Sequence, residues 1–132
     1  MGVMCGGGES AGENPCIATI YKICRNLGIE IVGIRFGWEG LIKPETVKLA
    51  KPLTLADIDS IDNLGGTILG TSRTNPYNID DGVNLVKENM RRLRLSALIT
   101  IGGDDTNGAA LKLHRDIGLR CVSIPQTMAI SV

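Results

Sequence analysis

The sequence predicts an α/β fold, a parallel sheet with helices on both faces, and three observations carry that prediction. Short apolar runs alternate with segments of helical apolar spacing along the 132 residues. Two of those runs end in glycine clusters that open directly into a helix. Glycine numbers 17 while aromatic residues make up only 3%, against an average glycine usage of about 7%. The glycines gather at Gly6-Gly7-Gly8, Gly65-Gly66 and Gly102-Gly103, each beside an apolar run, so they read as turns at strand ends and not as a linker.

Composition bounds what the chain can be. With 43% hydrophobic and 21% charged residues it is an ordinary globular chain, long enough for one domain or part of one. Fourteen basic and fourteen acidic side chains cancel, which leaves no general field to draw the chain onto nucleic acid or a membrane. Cys5, Cys16, Cys24 and Cys121 lie in apolar segments without a C-x-x-C pair, and His114, the single histidine, has no ligand-type neighbour. We therefore expect buried free thiols in a reducing cytoplasm, with neither a zinc site nor a disulfide framework. No run resembles a secretion signal or a membrane span.

The elements follow in order. Val3-Met4-Cys5 is a short strand running into a glycine loop that ends near Gly12. A helix starts with Asn14 as cap and Pro15 at its first position, carries Ile17, Ile20, Cys24 and Leu27 on one stripe, and stops at Gly28. Residues 29–34 are rich in isoleucine and valine and read as a second strand. Thr54 and Asp57 form a capping box before a short helix with Leu55, Ile58 and Ile61 inward. Thr67-Ile68-Leu69 reads as a third strand, leaving through a polar loop, Gly70-Thr71-Ser72-Arg73-Thr74-Asn75-Pro76, with the makings of a binding loop. Residues 80–95 predict a helix with Val83, Val86, Met90 and Leu93 inward and Arg91, Arg92 and Arg94 in solvent. A strand at residues 97–101, buried on both faces, passes through Gly102-Gly103 into a helix carrying Ala109, Ala110, Leu113 and Ile117, closed by Gly118. Residues 121–124 form the last strand.

In such a sheet, ligands lie at the carboxyl ends of the strands. Two glycine loops that each open a helix bring backbone N–H groups and a helix dipole toward one crevice, which suits phosphate oxygens, although glycines serve tight turns as well. The first loop is one residue longer than G-x-G-x-x-G, neither has the Gly-Lys-Ser/Thr of a P-loop, and Arg35 and Phe36 stand where a dinucleotide site needs an acidic ribose ligand. A redox domain is thus disfavoured. Asp104 and Asp105 in the second loop would repel a phosphate unless a cation or a repulsive task accounts for them; Mg2+, which takes one or two carboxylates and fills its shell with water and phosphate oxygens, is the expected cation. One of the two aspartates is expected to cap the helix. Arg73 reads either as a clamp on a transferring phosphoryl group or as a solvated surface arginine.

Three motifs resemble those of the phosphofructokinases: Gly7-Gly8-Glu9-Ser10-Ala11-Gly12-Glu13-Asn14, Gly66-Thr67-Ile68-Leu69-Gly70-Thr71-Ser72-Arg73, and Ile101-Gly102-Gly103-Asp104-Asp105-Thr106. Gly37-Trp38-Glu39-Gly40-Leu41 and Ile124-Pro125-Gln126-Thr127-Met128 are similar to two further segments of that family. The resemblance implies a Rossmann-like fold, the N-terminal donor-binding half of a phosphofructokinase, spanning residues 1–132 and lacking a second, sugar-phosphate domain. It implies transfer of a phosphoryl group from a donor to the 1-hydroxyl of fructose 6-phosphate in glycolysis, by an enzyme whose full-length parent is a homo-oligomer.

Residue by residue, the resemblance makes Gly8 a backbone contact to the donor phosphates and counts Arg73, Asp105 and Thr106 as donor-phosphate contacts with it. It has Arg73 stabilise the transferring group and Asp104 hold Mg2+. At Asp105, where ATP-dependent members usually carry glycine, an aspartate is typical of pyrophosphate-dependent members; its charge repels the α-phosphate of ATP, so pyrophosphate is the implied donor, with an ATP-dependent 6-phosphofructokinase as the alternative. Gln126 and Thr127 fall in the sugar-phosphate loop and, with Arg73 and Asp105, make up the implied catalytic set, Thr127 also as a substrate contact. Two departures stand out there. The pyrophosphate-dependent pattern runs Pro-Lys-Thr and then Asp-Asn-Asp, whereas this chain has Gln126 for the lysine and Ala129, Ile130 and Ser131 beyond. Alanine accepts no proton, and losing a general base costs about 10²–10⁴-fold. The isolated chain is therefore expected to be inactive, a phosphate-binding piece of its parent.

Overall fold

A computed structural model of the chain describes residues 1–7, 13–61 and 67–125. The expectations at Gly8, Gly12, Gly65, Gly66, Gln126, Thr127 and Ala129 fall outside these residues. Five strands form one sheet in the order β3-β2-β1-β4-β5: β1 (Gly2–Cys5), β2 (Val32–Gly33), β3 (Lys51–Pro52), β4 (Leu98–Gly102) and β5 (Cys121–Pro125). β1 runs parallel to β2 and β4, and β4 parallel to β5, with Cys5 opposite Ile101 and Ile101 opposite Ile124. β3 departs from the expected parallel sheet, pairing antiparallel to β2 over two residues, one of them Pro52. A strand so short, with a proline lacking its N–H, gives no periodic signal and sits at the sheet edge, where proline is tolerated.

The α-helices are α1 (Glu13–Asn26), α2 (Pro44–Val47), α3 (Leu55–Asp59), α4 (Gly82–Arg92) and α5 (Asp104–Ile117), with 3-10 turns at Gly37–Leu41 and Pro76–Asn78. Alternate residues of β1 feed two separate cores. Val3 and Cys5 join Ile17, Ala18 and Cys24 of α1 and Ile58 of α3 on one face, and Met4 joins Trp38, Val86, Met90, Ala110 and Leu113 on the other. Each fully buried Leu, Ile or Met contributes roughly 1.5–3 kcal/mol through water-excluded area, so both helical layers are anchored to the central strand.

Several local expectations change. Asn14 lies inside α1, and its Oδ1 accepts a hydrogen bond from the N–H of Ile68 at 2.7 Å. Leu27, placed on the inward stripe by its spacing, is 69% exposed because it lies past the end of α1 at Asn26. Residues 67–69 are not a strand. Their backbone groups are engaged elsewhere: the N–H of Ile68 by Asn14, the carbonyl of Leu69 by the N–H of Phe36 at 2.9 Å and by Nε of Arg35 at 3.2 Å. Cys5 and Cys24 are buried as expected, but Cys16 and Cys121 are only half-buried. Among the described residues, no helix is long and apolar enough to cross a membrane.

Candidate functional site

The strand order switches direction at β1, whose neighbours are β2 on one side and β4 on the other, and such a switch leaves a crevice at the carboxyl ends of the two strands. Four segments meet there. The loop after β1 enters through Gly6, whose N–H reaches the carbonyl of Ile101 at 2.9 Å. Gly7 follows with a positive φ of 81°, a conformation that glycine adopts at no steric cost. Its N–H donates to the carbonyl of Ser72 at 3.1 Å, which joins the first glycine loop to the arginine loop. Gly8, the predicted phosphate contact, lies outside the described residues.

α5 begins directly after Gly103, which occupies its N-cap position. Asp104 and Asp105 are thus the first two helical residues, so neither is the cap; both are exposed, and their charges favour the positive end of the helix dipole. Thr106 is buried, wedged between the two glycine turns: a Cβ on Gly6 would collide with its hydroxyl, and one on Gly102 would stand 2.8 Å from its Cβ. The carbonyl of Thr106 accepts the indole N–H of Trp38 at 3.3 Å. Asn107 fastens the helix to the strands, donating to the carbonyls of Gly102 at 2.8 Å and Ile124 at 3.3 Å while accepting from the Thr100 hydroxyl at 3.0 Å.

The arginine loop turns at Gly70, φ 71°, against the Phe36 ring. Phe36 is itself left-handed, φ 59°, and its carbonyl accepts the Ser72 hydroxyl at 2.7 Å. Asn75 caps the following 3-10 turn, its Oδ1 accepting from the N–H of Tyr77 at 2.9 Å. Beneath the loop the Thr67 hydroxyl donates to Sγ of Cys5 at 3.3 Å. Burial pushes the Cys5 thiol up to about 12, with the Thr67 hydrogen bond opposing it. This cysteine is a packing residue.

These segments enclose a cavity of about 190 Å³. Gly7, Asp105 and Thr106 form one side; Ser72, Arg73, Thr74, Asn75 and Asn78 form the other. Of the predicted site residues the structure brings Arg73, Asp105 and Thr106 together. Asp104 stands at the preceding position, outside the lining. Gln126 and Thr127 lie outside the described residues. Sequence reasoning missed the roles of Asn75, Asn78 and Asn107: the polarity of the loop pointed to Asn75, but nothing in the pattern singles out Asn78 or Asn107. A larger cavity, about 340 Å³, opens beside Leu95, Leu119 and Arg120, at the amino ends of β4 and β5. The smaller one is the candidate site, because it lies at the switch point and receives a helix N-terminus.

Known proteins resemble this chain over nearly its whole length. The phosphofructokinase family model matches residues 1–130. A pyrophosphate–fructose 6-phosphate 1-phosphotransferase of Dictyoglomus thermophilum is 42% identical over 128 residues, covering 97% of this chain and 36% of that protein. ATP-dependent 6-phosphofructokinase 3 of Streptomyces coelicolor is 36% identical over 132 residues, with the same coverage. Among solved structures, phosphofructokinase of Pichia pastoris in the T-state superposes with a TM-score of 0.83 at 23% identity, over 96% of this chain and 14% of that one. The chain thus spans about a third of the length of the curated relatives it matches. From the family match and the shared fold together, the chain belongs to the phosphofructokinase family.

Proposed function

We propose that this chain forms the donor-binding part of a phosphotransferase that moves a phosphoryl group from pyrophosphate to the 1-hydroxyl of fructose 6-phosphate, in the cytoplasm and within a homo-oligomeric parent. The observation that carries the reading is that Asp105 lines the same small cavity as Arg73 and Gly7. That cavity, about 190 Å³, is lined by Gly7 and by polar side chains. It suits a bare phosphoryl donor, and a carboxylate on its wall disfavours further phosphate charge.

The residues present fit Mg2+: Asp104 is an exposed carboxylate beside a polar cavity, and this ion needs only one or two carboxylates. Bound there, it would neutralise charge on the donor oxygens. Arg73 supplies the second positive charge, held on a loop whose backbone is tied to Gly7, and the N-terminus of α5 opens beside the cavity, where its dipole favours phosphate charge. Titration of the chain with magnesium pyrophosphate and magnesium ATP tests the reading. We expect pyrophosphate to bind at least about tenfold more tightly; equal affinities overturn it. Asp105→Gly should narrow the gap, and Asp104→Ala should remove the magnesium dependence.

A second reading, a phosphate-binding chain without catalysis, is favoured by Gln126 and Ala129 standing where the family resemblance has lysine and aspartate. Phosphotransfer by the chain in a coupled assay excludes it.

A further inference from the structure

We infer that Tyr77 is a positioning residue of the donor cavity, setting through its hydroxyl bond to Asp116 how the loop that carries Arg73 stands against the helix that carries Asp105. The inference rests on the donor reading above. Asp105, Lys112 and Asp116 are seven and four residues apart in α5, a spacing that puts them on one helix face. The upper end of that face lines the cavity through Asp105. Its lower end grips Tyr77: the phenol donates to Oδ2 of Asp116 at 2.7 Å, and the Lys112 ammonium lies 5.4 Å from the ring centroid.

Tyr77 is well placed to transmit that grip. It sits between Asn75 and Asn78, both in the cavity wall, and its N–H is bonded to the Asn75 side chain. The near half of the loop is fixed by Gly7 and Phe36, through the two bonds of Ser72. For residues 75–78 the other hydrogen bonds among the described residues are local, so the phenol is the polar tie between this half and α5. The protonation of the pair supports the direction of the bond. Burial and then the Asp116 contact push the Tyr77 phenol up to about 12, while the bonds from Tyr77 and Arg115 hold the Asp116 carboxyl below its ordinary range. The proton stays on the phenol, giving a charge-assisted O–H···O⁻ bond across the neutral range.

A titration of the 132-residue chain with magnesium pyrophosphate, followed by NMR, tests this. Tyr77→Phe keeps the ring and removes only the hydroxyl; it should weaken binding about three- to tenfold, the range of one net hydrogen bond, and should shift the Arg73 amide and Nε–H signals. Asp116→Ala should weaken binding equally, and the double variant should be no weaker than either single one. Asp116→Asn, whose amide oxygen still accepts the hydroxyl, should stay within about twofold of the parent, a rescue that lost stability alone does not predict. Parental affinity in Tyr77→Phe overturns the inference, as does Asp116→Asn matching Asp116→Ala. If the parent chain binds no pyrophosphate, the donor reading falls, and unchanged Arg73 signals in Tyr77→Phe then overturn the positioning role separately.

Discussion

The two walls of the candidate cavity are built by different means. On one side, the first turn of α5 is held by regular structure: β4 with every residue buried, two glycines that let Thr106 in, and a helix running on to Gly118 in the left-handed conformation. On the other side, residues 70–78 have only one short 3-10 turn and are held by isolated hydrogen bonds to Gly7, Phe36 and Asp116. Damage to the first wall should therefore appear as loss of global stability. Damage to the second should appear first at the ligand, because a loop held by a few bonds opens at low cost without unfolding the sheet.

The largest effect is expected at Gly6. Its Cβ position is occupied by Thr106, so Gly6→Val overpacks the junction and should cost about 3 kcal/mol in urea unfolding. Adding Thr106→Ala should recover a large part of the loss, and no recovery would show that the collision is not the cause. Next comes Asn107→Ala, which strips hydrogen bonds from the carbonyls of Gly102 and Ile124; about 2 kcal/mol is expected, again as global destabilisation. Ser72→Ala breaks the bond to Phe36 on the loop side and should cost only about 1 kcal/mol. Its signature should be faster amide exchange confined to residues near 70–75, and uniform exchange across the sheet would erase the distinction between the walls.

The smallest effect is a control away from both walls. Asp57 accepts hydrogen bonds from the N–H and hydroxyl of Thr54, and these hold its carboxyl below the ordinary range. A depressed folded pKa means stability that is present above the unfolded value near 4 and is lost as pH falls through the lower folded value. Being only half-buried, the group should contribute no more than about 0.5–1 kcal/mol, the worth of a cap. Asp57→Asn should flatten the acid limb of the stability profile by that amount and leave neutral-pH ligand affinity unchanged.

The same division explains what was legible in the sequence. The capping box of Thr54 and Asp57 is found atom for atom, and β4, α5 and the Gly118 stop lie within a residue or so of expectation, because local chemistry and apolar period determine them. The arginine loop was legible as a motif but not as a shape. Thr67-Ile68-Leu69 has the composition of a strand, yet Asn14, Phe36 and Arg35, all distant in sequence, take up its backbone groups. Asn14 itself reads as a cap from its neighbours and is instead a long-range tie. The grouping of Arg73 with Asp105 and Thr106 was legible from family motifs, whereas the pairing of Tyr77 with Asp116, 39 residues apart, leaves no periodic trace.

Trp38 gives this arrangement an optical readout. It is the chain's single tryptophan, 1% exposed, with its indole N–H on the carbonyl of Thr106. All indole emission from the chain thus originates at one point, coupled to the first turn of α5 and shielded from collisional quenchers. An unlabelled sample should report changes around that turn through the colour and polarisation of its own fluorescence.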